Sequence, residues 1–246
     1  MDKYHLYHND YSLYSLQVRY TLALAGKPRE GLAPMQIELT DVDLFNSGQL
    51  AEFFLTNINP KGQAGGFRPC KCTFRGTRAI SENELLKAVH ALNYFALSFP
   101  DRPQVATSFV KNIQDWLARD DISDEYRKAL EYKLSVTTQM KVHGIQPDAV
   151  RANEQKAREL MGRLEALLSS SSSSSSEKGE GQGPWLFGLE QPTALDAHVV
   201  ILIGRLQDVG RTSVVSERLL EYTDAAFQTP KLQTVMAGRR TMAPMQ

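Results

Sequence analysis

The chain has 246 residues, 42% of them apolar and 23% charged, and its 28 basic and 28 acidic side chains cancel. That balance offers no sustained positive field for nucleic acid, and no apolar stretch approaches the roughly 20 residues that cross a bilayer as a helix. The length admits one large domain or two smaller ones.

In chain order, residues 4–8 suit a short strand. Residues 15–25 then carry Val18, Leu22 and Ala25 at helical spacing, and Gly26-Lys27-Pro28 stops that helix. Met35, Ile37 and Leu39 alternate with Gln36, Glu38 and Thr40, the period of a half-buried strand. A helical stretch around residues 50–55 ends at Asn59-Pro60. Cys70, Cys72 and Phe74 alternate with Lys71, Thr73 and Arg75, Gly76 turns the chain, and residues 77–80 return as the second arm of a hairpin. A helix over residues 82–97 follows. The proline-rich run Phe99-Pro100-Asp101-Arg102-Pro103 marks a domain boundary.

Everything beyond it reads as helix, with Val110, Ile113 and Leu117, then Leu160, Leu164, Leu167 and Leu168, at helical spacing. Eight consecutive serines open a polar, glycine-rich run. Residues 169–183 cannot bury apolar surface and are expected to form a disordered loop. The two cysteines, Cys70 and Cys72, share one strand face, so neither a disulfide nor a zinc site is expected, and the five histidines are scattered. Residues 1–5 carry no apolar core of a signal peptide, which leads to an expectation of a cytoplasmic protein with no membrane span and no metal.

Gly183-Pro184-Trp185-Leu186-Phe187-Gly188 leads into Pro192-Thr193-Ala194-Leu195-Asp196-Ala197. Thr193 is placed to cap a helix, with Asp196 three residues on reciprocating and suiting the positive end of the helix dipole. The role expected of Asp196 is structural, not catalytic.

This tryptophan loop with its capping box resembles the carboxy-terminal domain of glutathione transferases. Thr229-Pro230-Lys231-Leu232 resembles the last helices of that family. In the amino-terminal half, Leu6-Tyr7 followed by Ser12-Leu13-Tyr14-Ser15 and Val18-Arg19 is similar to the first strand, active-site loop and first helix. Asn59-Pro60-Lys61-Gly62-Gln63 resembles the run leading to the family's cis-proline, and Ile80-Ser81-Glu82-Asn83 its γ-glutamyl loop. The resemblance implies an α/β thioredoxin-like domain over residues 1–99 and an all-α domain over residues 104–246, with the electrophile site between them. Two departures stand out. Ala64-Gly65-Gly66-Phe67 is inserted before Arg68-Pro69, and Asn83 replaces the usual serine.

The chemistry implied is conjugation of glutathione to small electrophiles. Reversible addition to a double bond would give cis/trans isomerisation, and the serine-type loop is similar to fungal-type members acting in detoxification or secondary metabolism. Lowering a thiol pKa from about 8.5 by ~2 units requires about 2.7 kcal/mol of anion stabilisation. A hydroxyl donating to a charged group supplies ~1.5–3 kcal/mol and a helix amino terminus ~0.3–1 kcal/mol. Ser12 is the candidate hydroxyl, with Ser15 and Tyr7 as rivals; its local sequence reads equally as a helix cap. No cysteine stands at that position, against a thiol-exchange mechanism. Glu82 and Asn83, expected at a helix start, bind the γ-glutamyl group. Pro69 is the cis-proline and Arg68 supplies the backbone pair for the cysteinyl unit. Lys61 or Gln63 approaches the glycine end, and Tyr11 and Tyr14 line the electrophile pocket or pack. A homodimer is implied by the resemblance alone. The competing readings are a transferase-like protein-interaction module without activity, and a simple ligand carrier.

Overall fold

The computed structural model describes residues 3–25, 35–64, 77–97, 103–169 and 183–243. Cys70, Cys72, the inserted residues 65–67, Arg68, Pro69 and the serine run beyond residue 169 lie outside the described residues. The chain is mostly helical, with a small two-stranded parallel sheet near its start. It divides into two compact units, each drawn from separate stretches of sequence. One comprises Met1–Asn9, Met35–Arg68 and Leu97–Asn153; the other comprises Asp10–Pro34, Pro69–Ala96 and Glu154–Gln246.

In the first unit, β1 (Lys3–His8) pairs in parallel with β2 (Gln36–Asp41), with Leu6 opposite Leu39. A parallel pair needs a long crossover, and the 27 residues between the strands supply it. The ladder is prolonged when the Val42 amide donates to the His8 carbonyl at 2.7 Å and Asn9 Nδ2 to the Val42 carbonyl at 3.1 Å. The alternation of Met35, Ile37 and Leu39 gives a strand but not a half-buried face. Ile37 alone is partly covered, while Met35 and Leu39 are 45% and 55% exposed. Among the described residues β2 pairs along one edge only, and its side chains on both faces are largely exposed.

The helical stretch expected near residue 50 is two short turns, a 3₁₀ turn at Gly48–Leu50 and a π-turn at Phe54–Ile58. They carry Leu50, Phe54 and Leu55 into two small cores. Phe54 meets Val42 and Ala64, with Tyr7 packed against them; Leu50 and Leu55 meet Ile113 of α3 (Pro103–Leu117) and Tyr126 and Leu130 of α4 (Asp124–Thr137). Ser123 caps α4 by accepting from the Tyr126 amide at 3.1 Å, with Asp124 and Glu125 in the first turn. The Tyr126 hydroxyl donates to the Leu50 carbonyl. Directly after α4 the chain widens into a second π-turn, Thr138–Val142. The next helix, α5 (Pro147–Ser169), begins in this unit and ends in the other.

The second unit is built around α6 (Ala194–Asp208), in which every residue from Leu195 to Leu206 is buried. A helix buried on all sides belongs at the centre of a helical layer. It packs against α1 (Leu13–Leu24) and α7 (Glu217–Phe227), and α1 also meets α8 (Pro230–Met236). Gly204 admits this packing: a Cβ there would stand 2.7 Å from the Phe227 ring. The helix α2 (Thr77–Leu97) starts earlier than its sequence suggests. Residues 77–80 form its first turn and not the arm of a hairpin. No glycine or proline separates Thr77 from the good helix formers that follow, so nothing stops the helix from starting just after Gly76. No described helix is long and apolar enough to cross a membrane.

Candidate functional site

In the second unit the residues expected around the thiol sit at the start of α1. Ser12 is the N-cap, 8% exposed, its backbone extended and its hydroxyl accepting from the Ser15 amide at 3.4 Å. A serine hydroxyl can accept and donate at once, so a capping role does not by itself exclude donation to an anion. Ser15 is completely buried. Tyr11 and Tyr14 are half-buried, and the Tyr14 ring tilts against Tyr94 of α2 at 6.3 Å. In the first unit, the half-buried Tyr7 ring stands 6.0 Å from that of Phe54 and 6.4 Å from that of Phe53.

Arg205, which the sequence reading passed over, fixes the loop in front of α1. It is 2% exposed. Its guanidinium donates to the Tyr11 carbonyl at 2.7 Å and to the Thr241 hydroxyl at 3.1 Å, and also reaches the Thr241 carbonyl. Burial lowers its pKa to about 10, with Asp208 opposing the shift, so it remains charged. Asp208 in turn accepts from the Thr241 amide at 2.8 Å and from Arg240 at 2.8 Å. A lone arginine inside the apolar run Val199 to Leu206 was the visible signal, because a charge there must be paired.

A second buried network joins α1, α2 and α6. Gln17 and Asn93 exchange amide hydrogen bonds, both at 3.0 Å, and Gln17 also donates to the His198 carbonyl at 3.3 Å. The His198 and His90 rings meet nitrogen to nitrogen at 2.9 Å, a contact with room for one proton. Burial, then the charge of His90, lowers the His198 pKa to about 3, and burial lowers that of His90, so both rings are neutral at pH 7.

Glu82 and Asn83 lie on α2 well after its first residue and not at a helix start. The backbone amides there are within the helix ladder, so side chains alone remain for a ligand. Glu82 is half-buried and Asn83 exposed.

The run leading to Gln63 is closely built in the first unit. Asn59 Oδ1 accepts from the Lys61 amide at 3.0 Å, Asn59 Nδ2 donates to the Gln63 carbonyl at 2.9 Å, and the Gly62 amide donates to the Asn59 carbonyl at 2.8 Å. Lys133 Nζ of α4 donates to the Lys61 carbonyl at 2.5 Å and the Gly62 carbonyl at 3.3 Å. Gly62 has φ +56°, a left-handed conformation that favours glycine, and a Cβ there would stand 2.9 Å from Lys133 Cε and displace that side chain. Lys61 is exposed and Gln63 half-buried.

The capping box is present as expected. Asp196 is fully buried and accepts from the Thr193 amide and hydroxyl, both at 2.7 Å, the Leu186 amide at 2.9 Å and the Tyr222 hydroxyl at 2.6 Å. Beside it, a cavity of about 430 Å³ is lined by Leu168, Trp185, Arg218, Glu221 and Tyr222, and neither Tyr11 nor Tyr14 reaches it. Among the described residues no three-residue group could hold a metal. A scan against protein-family models finds no match, and a search of curated proteins finds none.

Proposed function

We propose that the chain is a glutathione-dependent transferase that joins glutathione to a small electrophile, with Ser12 donating its hydroxyl to the thiolate. The observation that carries this reading is the start of α1: a nearly buried serine at the N-cap, with no carboxylate in the first turn to occupy the positive end of the helix. The hydroxyl and the helix terminus together account for the ~2–4 kcal/mol of anion stabilisation that thiol activation needs. Proton transfer from the thiol to solvent leaves a thiolate whose sulfur attacks the electrophilic carbon, either expelling a leaving group with its bonding pair or adding to a conjugated double bond whose carbanion solvent then protonates. Ser12 stabilises the sulfur anion without forming a bond to carbon. In this reading Glu82 and Asn83 bind the γ-glutamyl group through their side chains, and Lys61 or Gln63 the glycine end. Arg68 and Pro69 hold the cysteinyl unit. Tyr11 and Tyr14 line the electrophile pocket, and glutathione is the co-substrate. The thioredoxin-like assignment of the amino-terminal domain, a cytoplasmic location and a homodimer belong to the same proposal.

A protein-interaction module of the same ancestry is the second reading. It is favoured by Leu39, Phe45 and Phe53, which are 55%, 70% and 59% exposed in one unit. Calorimetric titration with glutathione and with S-hexyl-glutathione separates the two. One saturable site per chain is expected; a folded protein that takes up neither ligand would overturn the transferase and leave the interaction module.

A further inference from the structure

In the first unit two ammonium groups have no carboxylate partner among the described residues. Lys133 and Lys141 are both half-buried, and among the described residues neither is paired with a carboxylate. Lys133 donates twice, to the Lys61 and Gly62 carbonyls. Lys141 Nζ sits 4.4 Å above the Phe109 ring of α3 and donates no hydrogen bond to a described residue. Buried cations are ordinarily paired, and a ring face replaces only part of the lost hydration.

The π-turn bears on this placement. Residues eight apart on a regular α-helix stand about 80° apart around the axis. The extra residue in the Thr138–Val142 turn takes back about that angle, bringing Lys141 round towards the face that carries Lys133. The two charges feel each other: burial first, then Lys141, lowers the Lys133 pKa to about 8, and burial lowers that of Lys141 to about 8. Both stay mainly protonated at pH 7, holding like charges together at a cost in stability. Among the described residues, Lys133 meets the Lys61 and Gly62 carbonyls of the 59–63 loop, Lys141 faces the Phe109 ring of α3, and the charge that acts on Lys133 is that of Lys141.

We propose that Lys133 and Lys141, with the 59–63 loop, form a binding site for the carboxylate of a small ligand. A carboxylate supplies acceptors for the N–H groups that Lys141 leaves unused and cancels the repulsion between the two ammoniums. Two sources supply such a carboxylate: the glycine end of glutathione, which rests on the transferase reading, and a group on another small molecule, which does not.

The test uses the full-length chain, its Lys141→Met and Lys133→Met variants, and the exposed-lysine control Lys111→Met. Succinate is the probe, followed by the lysine ε-carbon NMR signals. In the wild type, succinate is expected to shift both signals saturably and raise both pKa values. Binding should weaken at least ~10-fold in each variant, remain unchanged in the control, and fade above pH 8. Lys141→Met should also melt higher than wild type without ligand, since it removes an uncompensated charge, whereas a merely structural lysine would melt lower. S-hexyl-glutathione identifies the source: a parallel ~10-fold loss assigns the carboxylate to glutathione, and undiminished binding assigns it to another ligand. If the protein takes up no glutathione at all, the succinate arm still decides the site. Lysine signals that do not move with succinate, or a Lys141→Met protein that melts lower and binds as well as wild type, would overturn it.

Discussion

Two helices of the second unit begin in opposite ways. At the start of α6, Asp196 fills the positive end from within the chain, taking four hydrogen bonds in a fully buried position. At the start of α1, the Ser12 hydroxyl accepts from the Ser15 amide at 3.4 Å, and the first turn has no acidic residue. The capped helices α4 and α7 each carry acidic residues in the first turn, as α6 does. A terminus that supplies its own anion has been committed to stability. One without an acidic residue in its first turn gives up part of that stabilisation, and this is the arrangement that suits an external anion.

The contrast is broken most severely at Asp196. Asp196→Ala strands the Thr193 and Leu186 amides and the Tyr222 hydroxyl in a buried setting. Hydrogen bonds to a charged group are individually worth about 1.5–3 kcal/mol, so the loss expected in urea denaturation is at least ~3 kcal/mol. Thr193→Ala removes the cap alone and should cost ~0.5–2 kcal/mol. Equal losses in the two variants would mean that the Leu186 and Tyr222 bonds contribute nothing and that α6 starts no differently from α1.

The two starts are also tied together, because Gln17 of α1 donates to the carbonyl of His198 on α6. His198 takes up a proton near pH 6.5 when unfolded but only near pH 3 when folded. Between those values the unfolded chain binds more protons, so stability is complete above about pH 6.5 and declines as the pH falls. The contribution lost by pH 5 is about 2 kcal/mol, and the lowered pKa of His90 acts in the same direction. Denaturation midpoints measured from pH 7 to pH 5 should follow that decline in wild type and flatten in His198→Gln. A parallel decline in the variant would place the acid sensitivity elsewhere.

What could be read from sequence was what is local. Thr193 and Asp196 stand three residues apart, so their reciprocal bonds follow from helix geometry alone. Ser12 was legible as a cap for the same reason. The ties of Arg205 to the Tyr11 carbonyl and of Lys133 to the Lys61 carbonyl cross 194 and 72 residues, and no spacing rule records them. Arg205 at least betrayed itself as a charge inside an apolar helix. Lys141 did not, since its approach to the face of Lys133 depends on a π-turn that periodicity does not reveal. The alternation of Cys70, Cys72 and Phe74 encouraged a hairpin, and residues 77–80 were drawn into it although they continue smoothly into α2. For β2 the period was right, but period cannot say how much protein covers a face.

The smallest change in stability is expected at Ser12, together with a change in rate. Its single cap bond is long, so Ser12→Ala should cost ~0.5–1 kcal/mol, near the low end for caps, and Ser12→Gly only a few tenths. Both variants lack the hydroxyl. If Ser12 holds a thiolate, both lose at least ~10-fold in glutathione conjugation with 1-chloro-2,4-dinitrobenzene, equivalent to about 1.4 kcal/mol at the transition state. The loss should lie in kcat/KM at pH 6.5 and narrow towards pH 9, where the thiol ionises unaided. A structural cap predicts a different pattern: Ser12→Ala loses more rate than Ser12→Gly, in proportion to stability, with no dependence on pH. Parity between the two variants in rate, set against their difference in stability, would mark α1 as a helix start reserved for a ligand.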